Sequence, residues 1–121
     1  MVKTYGLTHI ALAVRDVKKS YAFYHKVFGL KAYATYPGEI HTKSPSGHDI
    51  VTFNENRKSA GKTGGVAHFG FRLMDPKDIG AAVKAVKKAG GRIKRQGEFA
   101  PGVPYAYVSD PDGYEVENWY E

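Results

Sequence analysis

Residues 6–12 read GLTHIAL and residues 65–71 read GVAHFGF. Each stretch follows a glycine with a short apolar run broken by one histidine, and the two histidines, His9 and His68, lie 59 residues apart (68 − 9). The same offset carries Gly6 onto Gly65 and Asp16 onto Asp75, so the repeat is about half of the 121-residue chain. A solenoid needs three or more stacked units to bury its faces. Two copies of this length predict two similar halves instead.

Thr8 to Val14 alternates with strand period: His9, Ala11 and Ala13 on one side, Ile10, Leu12 and Val14 on the other. Asp16 is then placed to cap a helix whose apolar stripe is Val17, Tyr21, Tyr24 and Phe28, with Gly29 as its stop. In the second half His68, Gly70 and Arg72 alternate with Phe69, Phe71 and Leu73. Asp75 caps a second helix with Pro76 at its first position, Ile79, Val83 and Val86 as its stripe, and Gly90-Gly91 at its end. After each helix, Gly and Pro cut the chain into three short strand-like runs. The pattern predicts β-α-β-β-β twice, an α+β class: a single domain over 1–121, with module one at 1–58, module two at 64–121 and a linker at about 56–65. Gly61-Lys62-Thr63 in that linker suggests a phosphate loop, but the glycine required five residues earlier is Asn56, so the segment reads as a flexible basic linker.

A chain that is 42% hydrophobic and 25% charged has the make-up of one globular domain. At this length well over half of the unfolded surface is buried on folding, so neither disulfides nor a structural metal are needed. There is no cysteine, which excludes thiolate and iron–sulfur sites and leaves nitrogen and oxygen as metal ligands. The N-terminus lacks a charged leader before an apolar core, and no apolar run approaches 18 residues; the expectation is a cytoplasmic protein with no membrane partner. The formal charge of +6 is spread in pairs such as Lys18-Lys19 and Lys87-Lys88 rather than gathered on one element among stacking aromatics. No nucleic-acid partner is expected, whereas a positive field favours an anionic small-molecule substrate.

The large residues Ile10, Leu12, Val14, Phe69, Phe71 and Leu73 belong against the helices. The opposite face pairs the histidines with Ala11, Ala13 and Gly70, which contribute little volume, so it should line a hollow. Asp110-Pro111-Asp112-Gly113 has type I turn preferences and introduces a last strand on which Glu115, Glu117 and Trp119 share one face. Val116 on the helix side turns Glu117 toward the hollow. Two imidazoles and one carboxylate from three strands make a set that holds divalent Fe, Mn, Ni, Co or Zn and leaves positions open for chemistry. His9, His68 and Glu117 are therefore the expected metal ligands. Arg72 should share the face of His68 and orient an anionic group. His25, His41 and His48 show no such partners and read as surface residues, with His41 or His48 within reach of the rim.

Taken together, LTHIALAVRDVKKSYAFYHKVFGLK, GVAHFGFRLMD and YVSDPDGYEVE, whose final glutamate lies four residues after its glycine, resemble the vicinal oxygen chelate superfamily over the whole chain. The resemblance implies the glyoxalase/bleomycin resistance/dioxygenase fold: two βαβββ modules forming a cupped mixed β-sheet around a metal held by His9, His68 and Glu117. It also implies a homodimer, and a metal-dependent lyase, isomerase or dioxygenase acting on a small substrate with adjacent oxygens. The superfamily hosts several reactions. Glyoxalase I enzymes carry a fourth, acidic ligand in the last strand of the first module. Pairing Gly47 with Gly113 puts that position at Val51, other registers put it at Ile50 or Thr52, and none of these is an acid that would shuttle protons. Extradiol dioxygenases share the spacing found from Tyr107 to Glu117, but GEFAPGVPYAY (97–107) lacks their acid/base histidine. Glu117 and Tyr107 are the catalytic candidates, Tyr107 as a donor to a developing oxyanion. Arg72, Tyr105, Tyr107, Trp119 and Phe53 are the substrate-binding candidates. The alternative is a bleomycin-resistance-like protein that sequesters a flat aromatic ligand or antibiotic between Tyr105, Tyr107, Trp119 and Phe53; members of that kind usually lack the metal set retained here.

Overall fold

In the computed structural model, which describes residues 1–121, the alternation around His9 forms strand β1 (His9–Val14) and that after His68 forms β5 (Phe69–Arg72). Each opens one of two compact units, Met1–Ala60 and Gly61–Glu121. The first continues with α1 (Val17–Phe28), β2 (Lys31–Tyr36), β3 (Glu39–Lys43) and β4 (Ile50–Glu55). The second continues with a 3-10 turn (Pro76–Asp78), α2 (Ile79–Lys88), β6 (Arg92–Glu98), β7 (Pro104–Ser109) and β8 (Glu115–Trp119). Strands joined by short turns pair antiparallel, while the helical crossover brings the first strand of each unit parallel to its last. The result is two four-stranded mixed sheets, ordered β1-β4-β3-β2 and β5-β8-β7-β6, in an α+β fold. No helix is long and apolar enough to cross a membrane.

Local chemistry sets the helix ends. Asp16 Oδ1 accepts the backbone N–H groups of Lys18 and Lys19 at 3.0 and 3.1 Å, satisfying two donors that α1 leaves unpaired. Gly29 closes α1 at φ 71°, a left-handed conformation that a side chain resists, and its N–H reaches His25 O at 3.0 Å. The second unit departs from the expected direct cap. Asp75 Oδ1 accepts from Lys77 N–H at 2.8 Å, but Asp78 N–H returns to Asp75 O at 3.1 Å. That i→i+3 bond closes a tighter 3-10 turn, which Pro76 suits because it has no N–H to donate, and the chain widens into α2 only at Ile79.

One face of each sheet packs on its helix. In the first unit Leu12, Val14, Val51 and Phe53 are buried with Phe23 and Tyr24 of α1, and the Tyr24 and Phe53 rings lie 5.2 Å apart. In the second unit Val86 of α2 is fully buried, as are Ala106, Val108 and Val116. Burying a side chain the size of Val or Phe contributes on the order of 1.5–3 kcal/mol. Asn118 interrupts this pattern: it is 1% exposed, and neither atom of its side-chain amide has a hydrogen-bond partner.

Candidate functional site

The other face of each sheet carries the histidines. In the second unit Gly70 stands opposite Glu117 in the parallel β5–β8 pairing, and Tyr107 stands opposite Glu117 across β7–β8. His68, two residues before Gly70, reaches over this row: its Nε2 lies 3.3 Å from Glu117 Oε2, its Nδ1 3.9 Å from Glu115 Oε2, and its ring meets Tyr107 edge-on at 5.1 Å. Burial raises the Tyr107 phenol above its ordinary range, aided by its hydrogen bond to Glu117 and by that carboxylate's charge. Tyr107 therefore remains a proton donor.

Glu115 is held by Lys94 Nζ at 3.0 Å and an Arg95 guanidinium nitrogen at 3.1 Å. The Lys94 hydrogen bond, with that of Arg95, keeps its carboxyl below the usual carboxylate range. Arg95 also lies over the Tyr107 ring, 4.0 Å from its centroid. Strict alternation would send Lys94 and Arg95 to opposite faces. A register shift between Ile93 and Arg95 in the β6–β7 pairing lets both reach one carboxylate. These two cations were not among the sequence candidates, because nothing in the local pattern marks the bulge.

Beyond Tyr107 the aromatic row continues, with Tyr105 edge-on at 5.5 Å and Phe99 stacked on Tyr105 at 4.3 Å. Arg72 lies over Trp119 at 5.5 Å and donates to the Glu121 carbonyl. It shares the sheet face of His68 but closes on the chain's last residues, beside an open recess of about 350 Å³ lined by Arg72, Leu73, Met74, Tyr120 and Glu121. Gly70 makes room for Trp119. A Cβ there would meet Glu117 O at 2.9 Å and the indole at 3.1 Å.

In the first unit His9 Nε2 lies 3.4 Å from Thr52 Oγ1. Ala11 faces Thr52 on β4 as Gly70 faces Glu117 on β8, so the repeat equates Thr52 with Glu117. Of the three registers left open by the sequence, this is the one that names Thr52; the Gly47–Gly113 pairing names Val51. That pairing fails because five residues separate Gly47 from Thr52 and four separate Gly113 from Glu117. Phe53 is corrected with it: fully buried against Tyr24, it belongs to the helix side and lines no site face. His25 bonds the Leu30 carbonyl through Nδ1 at 2.8 Å, and His48 lies 5.4 Å from the Tyr5 ring. His41, read from the sequence as a surface residue within reach of the rim, is paired with Glu39 on the face that carries His9 and Thr52.

Two atoms bound to one divalent ion at about 2.0–2.2 Å, separated by about 90–110°, stand about 3–3.5 Å apart. The His68–Glu117 contact fits that spacing, with Tyr107 donating to Glu117 and Glu115 facing the far ring nitrogen in the manner of outer support for ligands. By itself the chain gathers no group of three His, Cys, Asp or Glu side chains placed for a metal.

The family model of the Glyoxalase/Bleomycin resistance protein/Dioxygenase superfamily matches residues 6–118. Over 124 residues the chain is 32% identical to a "Probable lactoylglutathione lyase" of Vibrio parahaemolyticus, spanning 92% of this chain and 87% of that protein. It is 26% identical over 113 residues to the glutathione transferase FosA of Serratia marcescens, spanning 93% and 78%. The fold superposes with a TM-score of 0.80 on the fosfomycin resistance protein FosX of Listeria monocytogenes, crystallised with Mn(II) and 1S,2S-dihydroxypropylphosphonic acid, at 19% identity over 97% of this chain and 90% of that one.

Proposed function

The chain belongs to the glyoxalase/bleomycin resistance protein/dioxygenase superfamily, and from that premise we propose that it is a divalent-metal-dependent enzyme acting on a small substrate with adjacent oxygens. His9, His68 and Glu117 are its metal ligands in this reading. The observation that carries it is the 3.3 Å approach of His68 Nε2 to Glu117 Oε2, with Tyr107 and Glu115 in support. A bound Fe, Mn, Ni, Co or Zn ion would supply Lewis acidity to the substrate's paired oxygens. Tyr107, kept protonated by its surroundings, turns its single O–H from Glu117 to an oxygen that gains negative charge. Lys94 and Arg95 set a positive rim beside it that favours anionic substrates. Because Thr52 stands where the second unit has Glu117, the reaction named for the Vibrio relative is not carried over. In this reading the working form is a homodimer in the cytoplasm.

The Phe99, Tyr105 and Tyr107 row favours a second reading, a protein that sequesters a flat aromatic ligand on these rings. Elemental analysis of protein purified without chelators, beside His68→Ala, separates the two. Near-stoichiometric Fe, Mn, Ni, Co or Zn that disappears in His68→Ala is expected. Protein that holds no metal even after each ion is added back would end the metal reading and leave sequestration as the better account.

A further inference from the structure

The first unit's sheet carries a second histidine on the face of His9. The β3–β4 register sets His41 opposite Thr52, whose hydroxyl lies 3.4 Å from His9 Nε2. His41 Nε2 is hydrogen-bonded to Glu39 Oε1, from the next residue on that face of β3, and Nδ1 has no partner within the chain. Tyr33 and Tyr36 of β2 hold the ring edge-on at 6.0 and 5.7 Å, and the side chain keeps 27% of its surface exposed. A carboxylate at one imidazole nitrogen fixes the proton there and leaves the other nitrogen with a free lone pair, which is the arrangement of a general base.

The repeat gives this position its meaning. His41 stands opposite Thr52 as Tyr107 stands opposite Glu117. The first unit thus has no carboxylate at this position on β4, but it places a proton-accepting pair one strand away in the same row. We propose that His41 is the proton-transfer residue of the site, acting on an α-hydroxycarbonyl substrate, with Glu39 as its positioning residue. The proposal rests on the metal-enzyme reading above. In the step, the C–H bond of the hydroxyl-bearing carbon breaks, an N–H bond forms at His41 Nδ1, and the electron pair moves onto the carbonyl oxygen to give an enediolate. The proton returns to either carbon. Return to the former carbonyl carbon, with the hydroxyl proton passing to the neighbouring oxygen, interconverts ketone and aldehyde without any oxidant or reductant. The groups facing His41 are Glu39 and Lys43 of β3, the latter with Nζ 4.8 Å over the Tyr33 ring, and Tyr33 and Tyr36 of β2; β4 presents uncharged Thr52 and Asn54.

Two measurements test this. In metal-free protein, ¹H–¹⁵N spectra of the imidazole should show the neutral ring protonated at Nε2. With Zn(II)-loaded protein, exchange of the CH₂OH protons of hydroxyacetone in D₂O should fall at least about 100-fold in His41→Gln, in line with the usual contribution of a general base. In Glu39→Gln exchange should fall about tenfold and its pH profile should be displaced. Both variants should keep the wild-type Zn content, which separates this idea from the metal reading; protein that binds no Zn would sink that reading, and His41 would still be judged on its tautomer and on exchange by the metal-free chain. A neutral ring protonated at Nδ1, or His41→Gln exchanging within about threefold of wild type, overturns the proposal.

Discussion

Replacing Asn118 with Leu should stabilise the protein. The side chain is 1% exposed on the helix face of β8, and both its amide atoms lack partners. The register makes it the counterpart of Phe53, which fills the same place in the first unit with an apolar ring. Burying an unpaired amide costs about 1–3 kcal/mol. Leu keeps the same heavy-atom branching and adds apolar contact, while its larger methyl groups crowd a packed site at a cost of about 1–3 kcal/mol. Removing the penalty and gaining about 1.5–3 kcal/mol of apolar burial leaves a net gain of roughly 1–3 kcal/mol. For a chain of this size each kcal/mol moves Tm by about 3–5 °C, so a rise of about 5–10 °C is expected. Asn118→Val, with less bulk, should move the same way by less. Thermal unfolding followed by circular dichroism, with urea titrations at constant m-value, reads the change. A fall in stability for both variants would show that the amide is not unpaired but satisfied in solution by bound water. Metal content should not change, since Asn118 points away from the face of Glu117 and Trp119.

Gly70→Ala forces a Cβ to within 2.9 Å of Glu117 O and 3.1 Å of the Trp119 ring. A loss of about 1–3 kcal/mol is expected, together with a shift in emission from the single tryptophan; unchanged fluorescence would count against the packing described. For Glu115 the sign follows from its lowered folded pKa: its stabilisation is complete above the unfolded carboxylate range and is lost as pH falls through the folded value. Lys94→Met removes its strongest hydrogen bond, so the carboxyl should titrate at higher pH by ¹³C NMR and acid unfolding should begin earlier; an unmoved titration would contradict the pairing. Thr52→Glu should place a fourth donor beside His9 and strengthen metal retention about tenfold against a competing chelator, whereas unchanged retention would speak against the equivalence of Thr52 and Glu117.

Much of the fold was legible because its causes are local. The capping role of Asp16, the left-handed stop at Gly29 and the apolar stripe of α1 depend on residues within a few positions of one another. Period-2 alternation likewise placed Leu12 and Val14 against the helix and brought His68 and Glu117 to one face, since side-chain parity along a single strand is a property of the chain itself. Parity says nothing about register between strands, which turn lengths and bulges decide. One extra residue after Gly47 moves the counterpart of Glu117 from Val51 to Thr52, and the same one-residue slip turns Phe53 from the site face to the core against Tyr24. A bulge brings both Lys94 and Arg95 to Glu115. Cross-strand pairing sets His41 beside Thr52, and the Glu39 bond fixes its ring, where the sequence places it only at the surface within reach of the rim. Element order and the faces the strands present follow from local sequence, whereas the meeting of residues on neighbouring strands depends on backbone pairing that no local pattern encodes.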